Sequence, residues 1–339
     1  MSVPEKLGGF KILKDMTLLS LFSPKQTKGS LSRFFSFIAD EKINLPYVTC
    51  VFDDHAWGLN IAVESKDTDK SLDLIEEAFE KKSIHHPEST ILSIFPHKRN
   101  PEITGSLFEA FGRKGVNANA LANSPSAISI VLNENVLNQA SSALFGPFSF
   151  SAYRTPADWK LAQKGKEQLY KEVVASFQEQ RPKVYGLEYQ DNQEFLWVKL
   201  NAQSIGDFGT SFKEFARLGL NLTFLASSPC EEKGKEKVAF CLPVTENSSY
   251  MEIMNGMAPQ ADTQCLAPVA TFAMNGPHFG DRYGIVSELL ISLEKGSVDL
   301  LGLSCTIASI TGVVPSSHIK SAIKAIKGCF DIPSVIERT

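Results

Sequence analysis

Four glycines, Gly29, Gly105, Gly209 and Gly284, stand where a polar loop runs into an amphipathic stretch. A helix that starts at such a point presents unpaired backbone N–H groups and the positive end of its dipole, which suits a carboxylate. Glycine there lets a ligand approach the backbone closely. Around these loops lie the acids Asp281, Glu102 and Asp207 and the amides Asn100, Asn117 and Asn123, all able to hold an ammonium group. The last loop, Asn275 to Gly284, also carries Arg282 beside Asp281. The chemistry these groups offer is recognition of a zwitterion. Each Asn and Asp is also at home as a helix cap or turn former, and that is the simpler reading of any one of them.

Bond-making chemistry finds little to work with. His97 and His278 both fall in a loop between a first strand and a first helix, without a nucleophile or acid at a telling spacing. A solvated loop histidine is the plainer reading. His85 and His86 precede Pro87 and read as surface linker. No glycine-rich phosphate loop, HExxH or GxSxG occurs. The six cysteines form no CxxC pair, so reduced thiols are expected, with no metal and no cofactor. The chain is therefore expected not to be an enzyme, with a small enzyme using a cleft between modules as the weaker alternative.

The elements that place these loops are repeated. The phrases Ile43-Asn44-Leu45, Val116-Asn117-Ala118, Leu220-Asn221-Leu222 and Val298-Asp299-Leu300 each follow a helical stretch and open an apolar, strand-like run. Ile103 to Phe148 aligns on Ile285 to Phe330 without a gap, pairing Leu107 with Leu289, Phe111 with Leu293, and Gly146 with Gly328. Such a repeat means that one small module was copied. Periodicity within each copy gives β-α-β-β-α and a closing strand. The expected modules are 15–87, 88–150, 183–262 and 263–335. Between them, 151–182 opens with Thr155-Pro156-Ala157-Asp158, a helix start, and carries a long helix to about residue 180. A module of this size is marginal alone, so the modules are expected as two tandem pairs joined by that helix, an α+β architecture.

Composition narrows the partners. A chain of 339 residues with 43% apolar and 21% charged residues reads as folded and soluble. Its 34 basic and 38 acidic side chains give a net charge of −4, which argues against nucleic acid and anionic membrane. The apolar runs are too short to span a bilayer, and the N-terminus lacks the apolar core of a secretory signal. A cytoplasmic protein is expected. The β-α-β-β-α-β order also occurs in RNA-binding modules, which need aromatics on the open sheet face. The strand Val238 to Leu242 offers only Phe240.

The stretch from Gly115-Val116-Asn117-Ala118 through Asn123-Ser124-Pro125-Ser126 to Ile128-Ser129-Ile130-Val131-Leu132 resembles the ACT-domain family, in particular the tandem regulatory ACT domains of aspartokinases. The loop Gly280-Asp281-Arg282-Tyr283-Gly284 resembles that family's acidic and basic turn before the first helix. All four modules fall within the resemblance, the second and fourth most closely. Two departures stand out. No lysine-rich, glycine-rich nucleotide site of a kinase domain is found, and the second module has Pro101-Glu102 where the family places an acid and Pro-Gly. The resemblance implies four ferredoxin-like modules that bind an amino acid between paired copies, in a sensor that forms a homodimer and acts on a regulated protein partner. The competing expectation is a scaffold of the same fold that binds no ligand.

Overall fold

The computed structural model describes residues 4–24, 29–53, 56–151, 153–163, 181–201, 205–232, 234–244, 253–254, 256, 263–276, 279, 282–307 and 309–338. In chain order, β1 (Glu5–Leu7) and the long β2 (Gly9–Ser23) precede α1 (Ser30–Asp40). Next come β3 (Tyr47–Phe52), β4 (Trp57–Glu64), α2 (Thr68–Phe79) and a second long strand, β5 (Ile84–Phe95). The order recurs in α3 (Pro101–Lys114), β6 (Ala120–Asn123), β7 (Ile128–Asn133), α4 (Leu137–Leu144) and β8 (Phe148–Phe150). After α5 (Pro156–Gln163), the second half has β9 (Gly186–Asn201), α6 (Ile205–Arg217), β10 (Phe224–Pro229), β11 (Lys235–Pro243) and β12 (Gln264–Asn275). It closes with α7 (Ile285–Lys295), β13 (Gly302–Thr306), β14 (Ser309–Pro315), α8 (Ile319–Cys329) and β15 (Val335–Arg338).

Local signals explain several boundaries. Asn100 caps α3, its side-chain oxygen accepting from the Glu102 N–H at 3.0 Å, and Pro101 takes the first helical position. The helix therefore starts a full turn before Gly105, where the sequence reading had placed its beginning. At its far end Gly115 is left-handed at φ 63°. The end of α8 is tied down by Arg181, whose guanidinium donates to the carbonyls of Lys327 (2.9 Å) and Gly328 (2.8 Å). We expect Arg181→Ala to speed amide exchange in the last turn of α8 without changing exchange in α7.

Among the described residues, thirteen strands form one continuous, mixed α/β sheet system, which closes on itself because β9 pairs with both β12 and β11. The long strands make this possible by serving twice. In β2, Met16 to Ser23 pair with β4, while Gly9 to Leu13 pair with Phe95 to Ile91 of β5. In β9, Gln193 to Asn201 pair with β11, while Gly186 to Gln190 pair with the end of β12. The result is two arrays of eight strand segments, β5-β2-β4-β3-β13-β14-β12-β9 and β2-β5-β7-β6-β10-β11-β9-β12.

The arrays lie face to face, with helices on the outside. Between them Val51 and Val313 pack with Phe195, Phe224 and Cys241, and Thr49 and Asn60 both donate to the Ser227 carbonyl at 2.7 and 3.2 Å. Larger cores lie beneath the helices, built on Phe108, Phe212 and Phe240 in one half and on Phe34, Phe35 and Leu289 in the other.

Two sequence expectations, the module boundaries and their pairing, need adjustment. The boundary at 87/88 falls inside β5, and the segment before residue 15 belongs to β2. Pairing is not confined to the tandem pairs, which share β2 with β5 and β9 with β12: β3 also pairs with β13, linking the first unit to the fourth, and β6 with β10, linking the second to the third. Of the helix expected from 156 to 180, Pro156–Gln163 is described and the remainder lies outside the described residues.

Candidate ligand cleft between two helices

On the outside of the first array, α1 and α7 pack against each other. Each begins at a left-handed glycine with no side-chain cap, Gly29 at φ 79° and Gly284 at φ 83°. A Cβ on Gly29 would lie 3.1 Å from Glu294 Oε1, and one on Gly284 would lie 3.7 Å from Ala39 Cβ. The start of each helix thus faces the end of the other, in a roughly twofold arrangement, and Ser36 and Ser287 hydroxyls meet at 3.3 Å between them.

The two ends differ in what they face. At the start of α1 the chain supplies its own anion, since Glu294 accepts from Ser32 Oγ at 2.5 Å. At the start of α7 the matching position is Ala39, and a small cleft of about 10 Å³ opens there. Phe35, Ile38, Ile43 and Leu45 form its wall on one side. Phe279, Ile285 and Val286 face them, with Arg282, Gly284, Ser287 and Cys305 completing the lining. The Arg282 guanidinium is largely shielded and stands 3.5 Å from Glu288 Oε1. Burial pushes the Glu288 carboxyl upward, an effect that Arg282 partly opposes. The cleft therefore combines a helix N-terminus, one cation and apolar walls. The first two groups suit a carboxylate, and the walls suit apolar matter.

The helices of the second array meet differently. Gly105 lies within α3 and Gly209 within α6, and a Cβ on Gly105 would stand 2.5 Å from the Gly209 carbonyl oxygen. Gly112 and Gly206 make a second such contact, with a Cβ on Gly112 placed 2.7 Å from Gly206 Cα. Phe108 packs edge-on against Phe212 at 5.7 Å, and Lys213 bonds Glu109 at 2.7 Å. Backbone touches backbone here. The expectation that Gly105 and Gly209 open anion cradles is corrected: neither begins a helix, and both are spent on helix contact.

The remaining sequence candidates are dispersed. Asn100 is a cap, and Glu102 is half-buried 4.0 Å from Lys213. Asn117 is exposed beyond the end of α3. Asn123 is fully buried, donating from Nδ2 to the Leu222 carbonyl (3.2 Å) while its own carbonyl accepts from Ser304 Oγ (3.2 Å). Asn275 is half-buried at the end of β12, where its carbonyl accepts from Tyr185 N–H at 2.8 Å. Asp281 and the side chain of Asp207 lie outside the described residues. Arg282 and Gly284 meet the repeated phrase at Ile43 and Leu45, which had marked the repeat without being read as site residues. Phe279 and Ser287 carried no signal that separates a lining residue from core.

Two buried titrating groups lie elsewhere. His97, expected to be solvated, is fully buried: Nδ1 meets the Ser124 carbonyl at 3.2 Å and Nε2 meets Thr104 Oγ1 at 2.8 Å. Burial lowers its pKa to about 4, so it is neutral at pH 7 and its Nε2 accepts from the threonine. Glu236 lies beside a second cavity, of about 20 Å³, with Asn119 and Asn201, and burial pushes its carboxyl up to about 7.

The two act in opposite directions. The His97 contribution to stability is full above the unfolded value near 6.5 and is lost as pH falls toward 4. Glu236 is stable in its neutral form and loses stability as pH rises from its unfolded value near 4.5 to 7. Each effect is roughly 2–3 kcal/mol. In chemical denaturation, His97→Gln is expected to remove the acid-side loss. Glu236→Gln is expected to exceed the parent in stability at pH 8 and not at pH 4.5.

No protein-family model matches the chain, and no curated protein matches its sequence. Solved structures do. Aspartate kinase from Synechocystis superposes with a TM-score of 0.77 at 16% identity, over 97% of this chain and 56% of that one. The ligand-free regulatory subunit of aspartate kinase from Thermus thermophilus matches 42% of this chain and 99% of its own, at 18% identity and a TM-score of 0.39. The chain thus resembles aspartate kinase in fold. The Synechocystis likeness is one of fold, and the chain spans 56% of that enzyme's length. The expectation of a protein that is not an enzyme is corrected by the same comparison, since the structure sharing this fold nearly end to end is an enzyme. Among the described residues no helix is long and apolar enough to cross a membrane.

Proposed function

We propose that the chain is a regulatory amino acid sensor of four ferredoxin-like βαββαβ modules, near 15–87, 88–150, 183–262 and 263–335, with a connecting helix in 151–182. The strand order β3-β4-β2-β5, with its counterparts in the other three units, supports the modular reading. The amino acid sits in the cleft at the start of α7, its carboxylate toward Arg282 and the helix N-terminus. Asp281 is the candidate for its ammonium group.

The observation that carries this reading is the contrast between the open α7 end, walled by Ile43 and Leu45, and the glycine-sealed contact of α3 with α6. The second and third modules are then a closed structural half, and the first and fourth the responsive one. The signal goes to a regulated protein partner. A second copy of the chain is not required, because both helix pairs close within one chain.

A thermal-shift panel of the twenty amino acids tests the reading, since a ligand that binds only the folded state raises the melting temperature. At least one amino acid should raise it, and Arg282→Ala should abolish that rise. Gly284→Val should abolish it too, at a cost of roughly 1–2 kcal/mol because its backbone is left-handed. A flat panel defeats the reading and leaves a scaffold.

A further inference from the structure

We propose that the helix layer over the first array docks a second copy of this chain, with α2 of each copy lying against α8 of the other. Contacts run from α2 to α1, from α1 to α7 and from α7 to α8, so the layer reads α2-α1-α7-α8 across the sheet. The inner pair closes within one chain, and a second copy therefore meets the outer face of the layer.

The two outer helices are equivalent elements. Each follows a single 3-10 turn, Ser65–Asp67 before α2 and Ser316–His318 before α8, so Thr68 of one matches Ile319 of the other. In that register the buried Ser71 and Ile75 of α2 match the buried Ala322 and Ile326 of α8. The outward positions match too, with the charge inverted. Asp69, Asp73 and Glu76, spaced along one helix face, stand where α8 has Lys320, Lys324 and Lys327. All six residues are exposed, and none is ion-paired among the described residues. Lys70, the one base in α2, pairs with Glu41 at 3.1 Å.

Neither stripe serves its own helix. A helix dipole favours acids at the start and bases at the end. Yet Glu76 and Glu77 fall in the last turn of α2, which has no base, and Lys320 falls in the first turn of α8, which has no acid. Charges that oppose their own helix and lack partners suit a counter-charge brought by another molecule. Two layers stacked in opposite order, α2-α1-α7-α8 on α8-α7-α1-α2, set each acidic stripe on a basic one and close both contacts at once. Stacking in the same order would set acid on acid. On α1, in the middle of the layer, the half-buried Phe37 lies under the Arg33 guanidinium at 5.2 Å and offers the stack an apolar centre.

Analytical ultracentrifugation of the full chain is the test. A dimer is expected at low salt, its dissociation constant rising about tenfold or more between roughly 50 and 500 mM salt as exposed charges are screened. Two charge-reversed chains, Asp73→Lys with Glu76→Lys and Lys320→Glu with Lys324→Glu, should each weaken the dimer by about 100-fold. Neither should lower the melting temperature, because positions 76 and 320 then carry the charge their helix dipole favours. An equal mixture of the two reversed chains should dimerise again, since each now complements the other. A chain that stays monomeric at low salt up to about 0.1 mM would overturn the proposal. So would a dimer that neither reversal weakens, or a mixture that stays monomeric. Species heavier than a dimer would overturn the opposed stacking, because head-to-tail contacts do not close.

Discussion

Replacing Asp53 by alanine is expected to destabilise the protein by about 3–5 kcal/mol, which urea denaturation at neutral pH would read as a lowered midpoint. Asp53 follows β3 and pairs with Lys237 of β11, so the bond joins the two facing arrays. The Lys237 side chain is only 4% exposed, and Asp53 is 26% exposed. Removing the acid leaves an ammonium group buried between sheets without that partner, a costly arrangement that favours opening of the arrays. The double variant Asp53→Ala, Lys237→Met should recover most of the loss, since an apolar side chain of similar length suits a dry interface. An equal loss in the double variant would show that Asp53 acts instead through its turn, where its carboxylate accepts from the Ala56 N–H at 2.7 Å.

The second large effect is expected at the contact of α3 with α6. Gly105→Val should cost about 3 kcal/mol or more, at the upper end of the range for overpacking. The reason is the nature of the neighbour. A new Cβ would meet the Gly209 carbonyl and the backbone nitrogen of Lys213, 3.1 Å away, neither of which can rotate aside as a side-chain tip can. Gly328→Ala, in α8 with open space around it, is the matched control. It should stabilise by roughly 0.5–1 kcal/mol, because alanine restricts the unfolded chain and favours helix. Melting temperatures of the two variants should therefore move in opposite directions.

Much of the architecture was legible in the chain, because the repeat rests on apolar periodicity, and periodicity is what burial imposes. Leu107 and Leu289, aligned in sequence, are both on the buried faces of equivalent helices, α3 and α7. The exchange of half-strands was not legible. Gly9 to Leu13 alternate like any strand edge, and nothing in alternation says which neighbour a strand will choose.

The start of α3 could have been read, since Asn100-Pro101 is a cap followed by the residue suited to the first helical position. Treating Gly105 as a helix start overlooked it. That glycine also shows why site residues were harder than fold. The same residue type permits a ligand or a second helix to approach the backbone, and only the identity of the facing element decides between them. The same limit hid Ile43, Leu45 and Phe279. An apolar residue lining a cleft looks like core until the space beside it is known.

The sharing of β2 with β5, and of β9 with β12, bears on how such a chain could have arisen. One unit cut from its neighbour would lack the fourth strand that the neighbour lends it, and would expose two sheet edges as templates for aggregation. The doublet, whose halves depend on each other, and not the single unit, is then the smallest piece expected to fold alone. A recombinant halved between β8 and β9 would inherit intact strand exchange on both sides, whereas a cut inside β5 or β12 would leave neither product heritable as a folded protein.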